Sequence, residues 1–211
     1  MTAETVVLVH GLWVHGIAME LMRRRIARRG FRAHAYSYPS MRLTLTENAE
    51  RLARYCRGLD VPRVSLVGHS LGGLIVLRTL EHGAAFTPGR IVLTGAPVSE
   101  SFAARRLAQL PGGRAALGRS LPDWLDAGRP ALDRHVEIGV IAGRLPVGLG
   151  RLVAPDLPAP SDGVVSVAET RLPDMRDHIV LNVSHSGMLV SRLVAHQICE
   201  FLRNGAFEYQ G

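Results

Sequence analysis

Short apolar segments with strand character alternate with amphipathic helical segments along most of the chain. The first, Val6–Val9, is a run of aliphatic residues, which is typical of a strand buried on both faces. We predict five further strands at Phe31–Tyr38, Arg63–Val67, Ile91–Thr94, Val136–Ala142 and Ile179–Val183. Repeated strand–helix alternation predicts an α/β fold, with a mostly parallel sheet of about six strands and helices on both faces.

The helical segments lie between these strands. We predict helices at Gly16–Arg29, Thr46–Arg57, Leu71–Glu81 and Met188–Arg203. Thr46 is the candidate N-cap of the second helix, because a threonine hydroxyl can accept a hydrogen bond from a free backbone N–H of the first turn. Gly30 is a plausible glycine at the end of the first helix.

The segment between the fourth and fifth strands interrupts the alternation. Ser99–Arg134 joins them with 36 residues, whereas connections of a few residues are usual. Short helices are expected at Ser101–Leu110 and Ala115–Leu121, separated by Pro111-Gly112-Gly113. We therefore predict a single domain, residues 1–211, with a small helical cap or lid at about residues 99–134. This segment is called the insertion below.

The strongest chemical signal is Gly68-His69-Ser70-Leu71-Gly72, a G-x-S-x-G motif between a predicted strand and a predicted helix. That context supports the motif, because a serine at a sharp strand-to-helix turn is exposed and its glycines admit close backbone approach. The positive end of the following helix favours a developing negative charge there. Ser70 is the candidate nucleophile.

A second signal, His10-Gly11-Leu12, directly follows the first strand. An oxyanion that develops during acyl transfer needs hydrogen-bond donors fixed in advance. The backbone N–H of Leu71, which follows the candidate nucleophile, is one candidate donor. The backbone N–H of Leu12 is the other, with Gly11 allowing a tight turn.

Together these motifs resemble the α/β-hydrolase superfamily, and within it the small lipase and esterase group that includes the minimal bacterial lipases. The resemblance covers nearly the whole chain and is most specific at Ser70. It implies the α/β-hydrolase fold and a catalytic triad in the chain order nucleophile, acid, histidine. It also implies a carboxylic ester of medium or long acyl chain as substrate.

That order selects the other two triad candidates. His185 directly follows the last predicted strand and is the candidate general base, whereas His178 precedes that strand and His196 lies in the last helix. Asp162 is the candidate acid, because Asp162-Gly163-Val164-Val165 resembles the family's pattern there. Asp156 is its nearest competitor, and Asp174 and Asp177 are more distant ones.

The expected reaction is hydrolysis of carboxylic esters by two-step acyl transfer, without metal or cofactor. An acyl-thioesterase or acyltransferase would use the same triad, and a non-catalytic ligand-binding member of the fold is a third, less favoured interpretation. The candidate substrate-binding residues are Trp13, His69, Phe102 and Trp124. Trp13 and Trp124 fit the hydrophobic core equally well.

The formal net charge is +7 and all 25 basic residues are arginine. Six of them crowd one stretch: Arg23, Arg24, Arg25, Arg28, Arg29 and Arg32. A weak association with an anionic lipid surface is one interpretation, but we favour a solvated helix face. The sequence contains no nucleic-acid-binding motif, so we expect no nucleic-acid partner. The sequence does not indicate an oligomeric state.

The cysteines and the hydrophobic runs of the sequence indicate where in the cell the protein is located. Cys56 and Cys199 have no nearby cysteine or metal-ligand spacing, so we expect both to be buried apolar side chains. No run of 18 residues lacks a charge, so no transmembrane helix is predicted. Val6–Val9 is too short for the core of a signal peptide and has no basic lead, so we expect a cytoplasmic protein.

Overall fold

Six parallel strands form one sheet in the order β2-β1-β3-β4-β5-β6. The computed structural model describes residues 3–81, 85–127, 135–148 and 153–209. The strands are β1 (Thr5–Val9), β2 (Arg32–Tyr36), β3 (Val64–His69), β4 (Pro88–Thr94), β5 (Ile138–Gly143) and β6 (Asp177–Leu181). Each neighbouring pair is parallel, which confirms the predicted sheet. Their carboxyl ends therefore meet at one edge of the sheet.

Helices connect these strands. They are α1 (Glu20–Ala27), α2 (Leu45–Arg57), α3 (Leu71–Glu81), α4 (Phe102–Ala108), α5 (Gly113–Ala116), α6 (Ser120–Ala127) and α7 (Arg192–Asn204). The helices α1 and α7 begin later than predicted, because the 3₁₀ turns Gly16–Met19 and Ser186–Val190 precede them.

The sheet separates two apolar clusters. Val7 and Val9 of β1 point into a cluster that contains residues of α2 and α3. Val6 and Leu8 point into the other, which contains residues of α1 and α7. Alternate side chains of a strand face opposite sides, so all four are buried and both faces carry helices. The predicted layering is confirmed.

The N-cap of α2 corrects the sequence prediction. Thr44, not Thr46, is the cap: its hydroxyl accepts from Glu47 N–H at 3.2 Å, and the Glu47 carboxylate accepts from Thr44 N–H at 2.7 Å. The pair forms a reciprocal capping box, which satisfies two backbone donors at once. The prediction placed the cap two residues late.

The described part of the insertion contains three helices rather than two. Gly118 has a φ of +67°, a conformation that glycine adopts readily, and it separates α5 from α6. Asp123 of α6 accepts a hydrogen bond from Leu45 N–H at 3.0 Å, and Ser120 accepts one from Asn48 at 2.9 Å. The helix α6 is thus bound to α2. Residues 128–134 lie outside the described ranges.

The six arginines of the arginine-rich stretch are exposed or half-buried, and four of them contact other groups of the protein. Glu20 pairs with Arg23 at 2.6 Å and with Arg24 at 2.8 Å. Arg25 donates to Val190 O, and Arg29 contacts His196 of α7 at 3.0 Å between side-chain nitrogens. These contacts favour the helix-face interpretation. The lipid association and the absence of a nucleic-acid partner stay predictions.

Both cysteines are free and buried, as predicted. Burial raises the pKa of Cys56 to about 12 and that of Cys199 to about 11. Within the described ranges, no helix is long and apolar enough to cross a membrane. The cytoplasmic location stays a prediction.

Candidate active site

Ser70 lies at the turn between β3 and α3, at the carboxyl edge of the sheet. Its φ is +54°, in the left-handed region that costs a non-glycine residue conformational energy. Its N–H donates to Thr94 O at 3.0 Å, and its carbonyl accepts from Gly73 N–H at 2.9 Å. These bonds hold a strained residue at the predicted turn.

The glycines of the motif allow this turn by close packing. A Cβ at Gly68 would lie 2.5 Å from Gly73 Cα, and a Cβ at Gly72 would lie 2.3 Å from Val9 O. No side chain fits at either position, because both distances are far below van der Waals contact. The start of α3 therefore rests directly on the ends of β1 and β3.

The loop after β1 lies against Ser70. A Cβ at Gly11 would be 3.1 Å from Ser70 Cβ, so the loop that carries Leu12 borders the candidate nucleophile. Leu71 is the first residue of α3, and the N–H of a first helical residue has no acceptor within its helix. Leu12 directly follows Gly11 and Leu71 directly follows Ser70, so both candidate oxyanion donors belong to the segments that meet at this contact.

His10 and Tyr38 hold this loop. His10 Nδ1 donates to Gly11 O at 2.8 Å and Nε2 accepts from Tyr38 N–H at 3.3 Å, while the Tyr38 hydroxyl donates to His10 O at 2.7 Å. The rings stack with their centroids 4.2 Å apart. Burial lowers the pKa of His10, which agrees with a neutral ring that accepts at Nε2. Sequence reasoning missed Tyr38, because no local pattern marks a partner 28 residues away.

Asp162 and His185 form a buried pair. Asp162 Oδ2 is 2.7 Å from His185 Nδ1, and His185 N–H donates to Asp162 O at 2.9 Å. The other carboxylate oxygen, Oδ1, accepts from the N–H groups of Val164 at 2.9 Å and Val165 at 2.7 Å. Asp162 is only 1% exposed. Both carboxylate oxygens are therefore satisfied without water.

Two further glycines make room for this pair. A Cβ at Gly95, after β4, would lie 3.0 Å from Asp162 Oδ2 and 3.2 Å from His185 Nδ1. A Cβ at Gly143, the end of β5, would lie 2.7 Å from Asp162 Cβ. Sequence reasoning missed both, although each directly follows or ends a predicted strand, which is a signal that could have found them.

The competing acids lie elsewhere. Asp156 is half exposed and pairs with Arg106, which lowers the pKa of that carboxyl. Asp177 begins β6, at the opposite edge of the sheet, and accepts from Phe207 N–H at 2.7 Å. Asp174 precedes that strand. Of the four carboxylates considered, the structure brings Asp162 to His185.

The candidate substrate-binding residues lie in different environments. Trp124 is 2% exposed and packs in the core cluster with α2 and α3, so the core interpretation holds for it. Trp13 is 61% exposed, and its indole N–H donates to Ala116 O of α5 at 2.7 Å. Phe102 is partly buried, 5.5 Å from the Arg106 guanidinium. His69 is buried and contacts His185.

Glu169 is a residue that sequence reasoning missed. Its carboxylate accepts from the N–H and the hydroxyl of Ser166, both at 2.7 Å, and from Phe102 N–H at 2.5 Å. Its carbonyl accepts from Ser99 N–H at 3.0 Å. Glu169 therefore ties the loop of Asp162 to the start of the insertion. The spacing Ser166-x-x-Glu169, that of a capping box, was the available signal.

Comparison with known proteins identifies the family. A profile of the alpha/beta hydrolase family matches residues 6–199. The chain belongs to this family. The match includes the positions of Ser70, Asp162 and His185. The comparison with curated proteins gives no match.

Solved structures share this alpha/beta hydrolase fold. The mature lipase BlEst2 of Bacillus licheniformis is 18% identical, with a TM-score of 0.77 over 96% of this chain and 91% of that one. The metagenomic carboxyl esterase MGS0156 is 18% identical, with a TM-score of 0.71 over 97% of this chain and 77% of that one. The Exiguobacterium antarcticum esterase EaEST is 14% identical, with a TM-score of 0.61 over 96% of this chain and 93% of that one. At these identities the likeness supports the fold.

No group of three or more His, Cys, Asp or Glu side chains within the described ranges could hold a metal ion. The expectation that catalysis needs no metal or cofactor stays a prediction.

Proposed function

We propose that the protein is a serine hydrolase that cleaves carboxylic esters through an acyl-enzyme. The observation that carries this proposal is the buried Asp162–His185 pair, with a 2.7 Å contact between Oδ2 and Nδ1. That contact leaves Nε2 of His185 to exchange a proton. His69 directly precedes Ser70, and its Nε2 lies 3.1 Å from His185 O. This contact supports the joint action of Ser70 and His185.

The first step forms the acyl-enzyme. Ser70 Oγ attacks the carbonyl carbon of the ester while its proton passes to His185 Nε2. Asp162 stabilises the imidazolium and keeps the ring in the tautomer with a proton on Nδ1. The N–H groups of Leu12 and Leu71 stabilise the oxyanion. When the tetrahedral intermediate collapses, the proton on Nε2 passes to the departing alcohol.

The second step releases the acid. Water attacks the acyl carbonyl and gives a proton to His185 Nε2, and that proton returns to Ser70 Oγ when the ester bond to Ser70 breaks. A thioester or another acyl acceptor would use the same residues. A comparison of rates on matched oxygen esters and thioesters distinguishes these reactions.

Hydrolysis of p-nitrophenyl esters of increasing acyl length tests the proposal. Ser70→Ala should reduce kcat by about 10⁶-fold, since a nucleophile acts as a unit with its base. The matched control is Ser191→Ala, which removes the N-cap hydroxyl of α7 and should leave kcat unchanged. Equal activity of Ser70→Ala and wild type would refute the proposal. A folded wild type that cleaves neither oxygen esters nor thioesters would favour a closed lid or the ligand-binding interpretation.

A further inference from the structure

His69 is a buried histidine that the proposed mechanism does not use. It is 4% exposed, and its Nε2 lies 3.1 Å from His185 O. A carbonyl oxygen only accepts, so Nε2 carries the proton and donates it. Within the described part of the chain, Nδ1 is buried without a hydrogen-bond partner. Burial, with the nearby His185, lowers the pKa of His69 to about 3, so its ring is neutral at neutral pH.

The backbone of His185 needs an anchor outside its own loop. His185 follows β6 and precedes a 3₁₀ turn, so no regular element fixes it. Its N–H and its Nδ1 both bind Asp162. Both of these bonds reach the same residue. The bond from His69, at the end of β3, comes from another element and ties the backbone of His185 to the strand that carries Ser70.

The ring of His69 is itself held in place. Its centroid is 4.7 Å from that of His185, with the ring planes tilted by 49°. On another side, a Cβ at Gly11 would lie 3.3 Å from His69 Nδ1, so the loop after β1 limits any swing of the ring. Ser70 is the next residue along the chain. A fixed His69 therefore fixes the separation of Ser70 from His185.

We propose that His69 is a positioning residue, whose hydrogen bond from Nε2 to His185 O holds the general base in line with Ser70. This inference rests on the proposed function. It replaces the prediction that His69 binds substrate, because its ring is enclosed by protein and its donor is occupied.

Three substitutions of His69 separate this role from simple packing. His69→Leu removes the donor. His69→Gln places an N–H at the position of Nε2, and His69→Asn places one near the position of Nδ1. The matched control is His178→Leu, which removes an imidazole at the opposite edge of the sheet, where Nε2 contacts Thr170 Oγ1 at 3.0 Å.

With a p-nitrophenyl ester, His69→Leu and His69→Asn should lower kcat by about 10²-fold, since a misplacement of about 1 Å has this cost. KM should change by less than about two-fold, because ester binding does not use His69. His69→Gln should recover most of kcat, and His178→Leu should keep it. Equal kcat in His69→Gln and His69→Asn, or an effect confined to KM, would overturn the proposal.

A second measurement does not depend on activity. The downfield proton NMR signal of His185 Nδ1–H, assigned by its loss in His185→Gln, should persist in wild type and His69→Gln. It should broaden by solvent exchange in His69→Asn and in His69→Leu, if the latter folds. An identical signal in all folded variants contradicts the positioning role. An inactive wild type with this NMR pattern instead contradicts the proposed function alone.

Discussion

Two aspartates in the connection between β5 and β6 have the same carboxylate side chain but opposite environments. Asp162 is buried, and its carboxylate accepts from two backbone N–H groups and contacts His185. Asp156 is half exposed and pairs with Arg106. Water screens the second carboxylate but not the first. The comparison teaches that donors from the surrounding loop, and not the residue type, suit a carboxylate to orient a histidine.

Replacement of each aspartate by asparagine tests this contrast directly. Asp162→Asn should lower kcat by about 10⁴-fold, because an amide stabilises the wrong tautomer of the histidine. The matched change Asp156→Asn should leave kcat within about two-fold, since that side chain contacts a surface arginine. Ester hydrolysis by both variants is the measurement. A large loss in Asp156→Asn instead would identify it as the triad acid.

The burial of His69 predicts how the stability of the protein depends on pH. The folded state lowers the pKa of His69 from 6.5 to about 3, so between these values the unfolded chain binds the extra proton. The free energy of unfolding should therefore fall as the pH is lowered through this window. Urea unfolding from pH 7 to pH 4 measures it.

In His69→Gln this fall should be smaller. It should not vanish, because burial also lowers the pKa of His10, His34 and His178. An unchanged pH dependence would contradict the assigned pKa of His69.

Two glutamates near the start of the insertion show the same contrast between a buried and an exposed carboxylate. Glu169 is buried with three donors on its carboxylate, whereas Glu100 forms an exposed ion pair with Arg105 at 2.9 Å. Glu169→Gln should reduce the free energy of unfolding by about 1–3 kcal/mol, because an amide N–H would face a donor. Glu100→Gln should change it by less than about 0.5 kcal/mol. Urea titrations that rank the two variants in reverse would contradict this contrast.

The smallest effect concerns two threonines. Thr44→Ala removes the capping box of α2 and should cost about 1 kcal/mol of unfolding free energy. Thr46→Ala lies inside the helix and should have an effect below about 0.5 kcal/mol. Thermal unfolding of both variants measures the two losses of stability. An equal loss would mean that the Thr44 hydroxyl contributes no more than its neighbour.

Local patterns predicted much of this fold. The strands β1, β3, β4 and β5 were recognisable because a parallel strand covered on both faces needs a continuous apolar run. The edge strand β2 has no such run, since it begins with the exposed Arg32 and only Tyr36 is buried. The turn at Ser70 was recognisable because its glycines meet a local steric requirement. Thr44 was missed although Thr44-x-x-Glu47 has the spacing of a capping box, which Thr46-x-x-Ala49 lacks.

The environment of a single side chain was harder to predict. Trp13 and Trp124 are the same residue type, yet one is 61% exposed and the other 2%. The core contact of Trp124 depends on how α6 packs against α2, far away in the chain. His69 likewise looked like a residue of the pocket, since its partner His185 is 116 residues away.

The parallel sheet and the strained turn at Ser70 could be predicted from short-range patterns of apolar residues and glycine spacing. The chain order of the three candidate catalytic residues was implied by the resemblance to the α/β-hydrolases. Three contacts became visible in the folded protein: Asp162 and not Asp156 meets His185, Glu169 ties the insertion to the loop of Asp162, and His69 contacts the backbone of His185. Each of these depends on distances between elements remote in the chain, which packing of the whole fold sets.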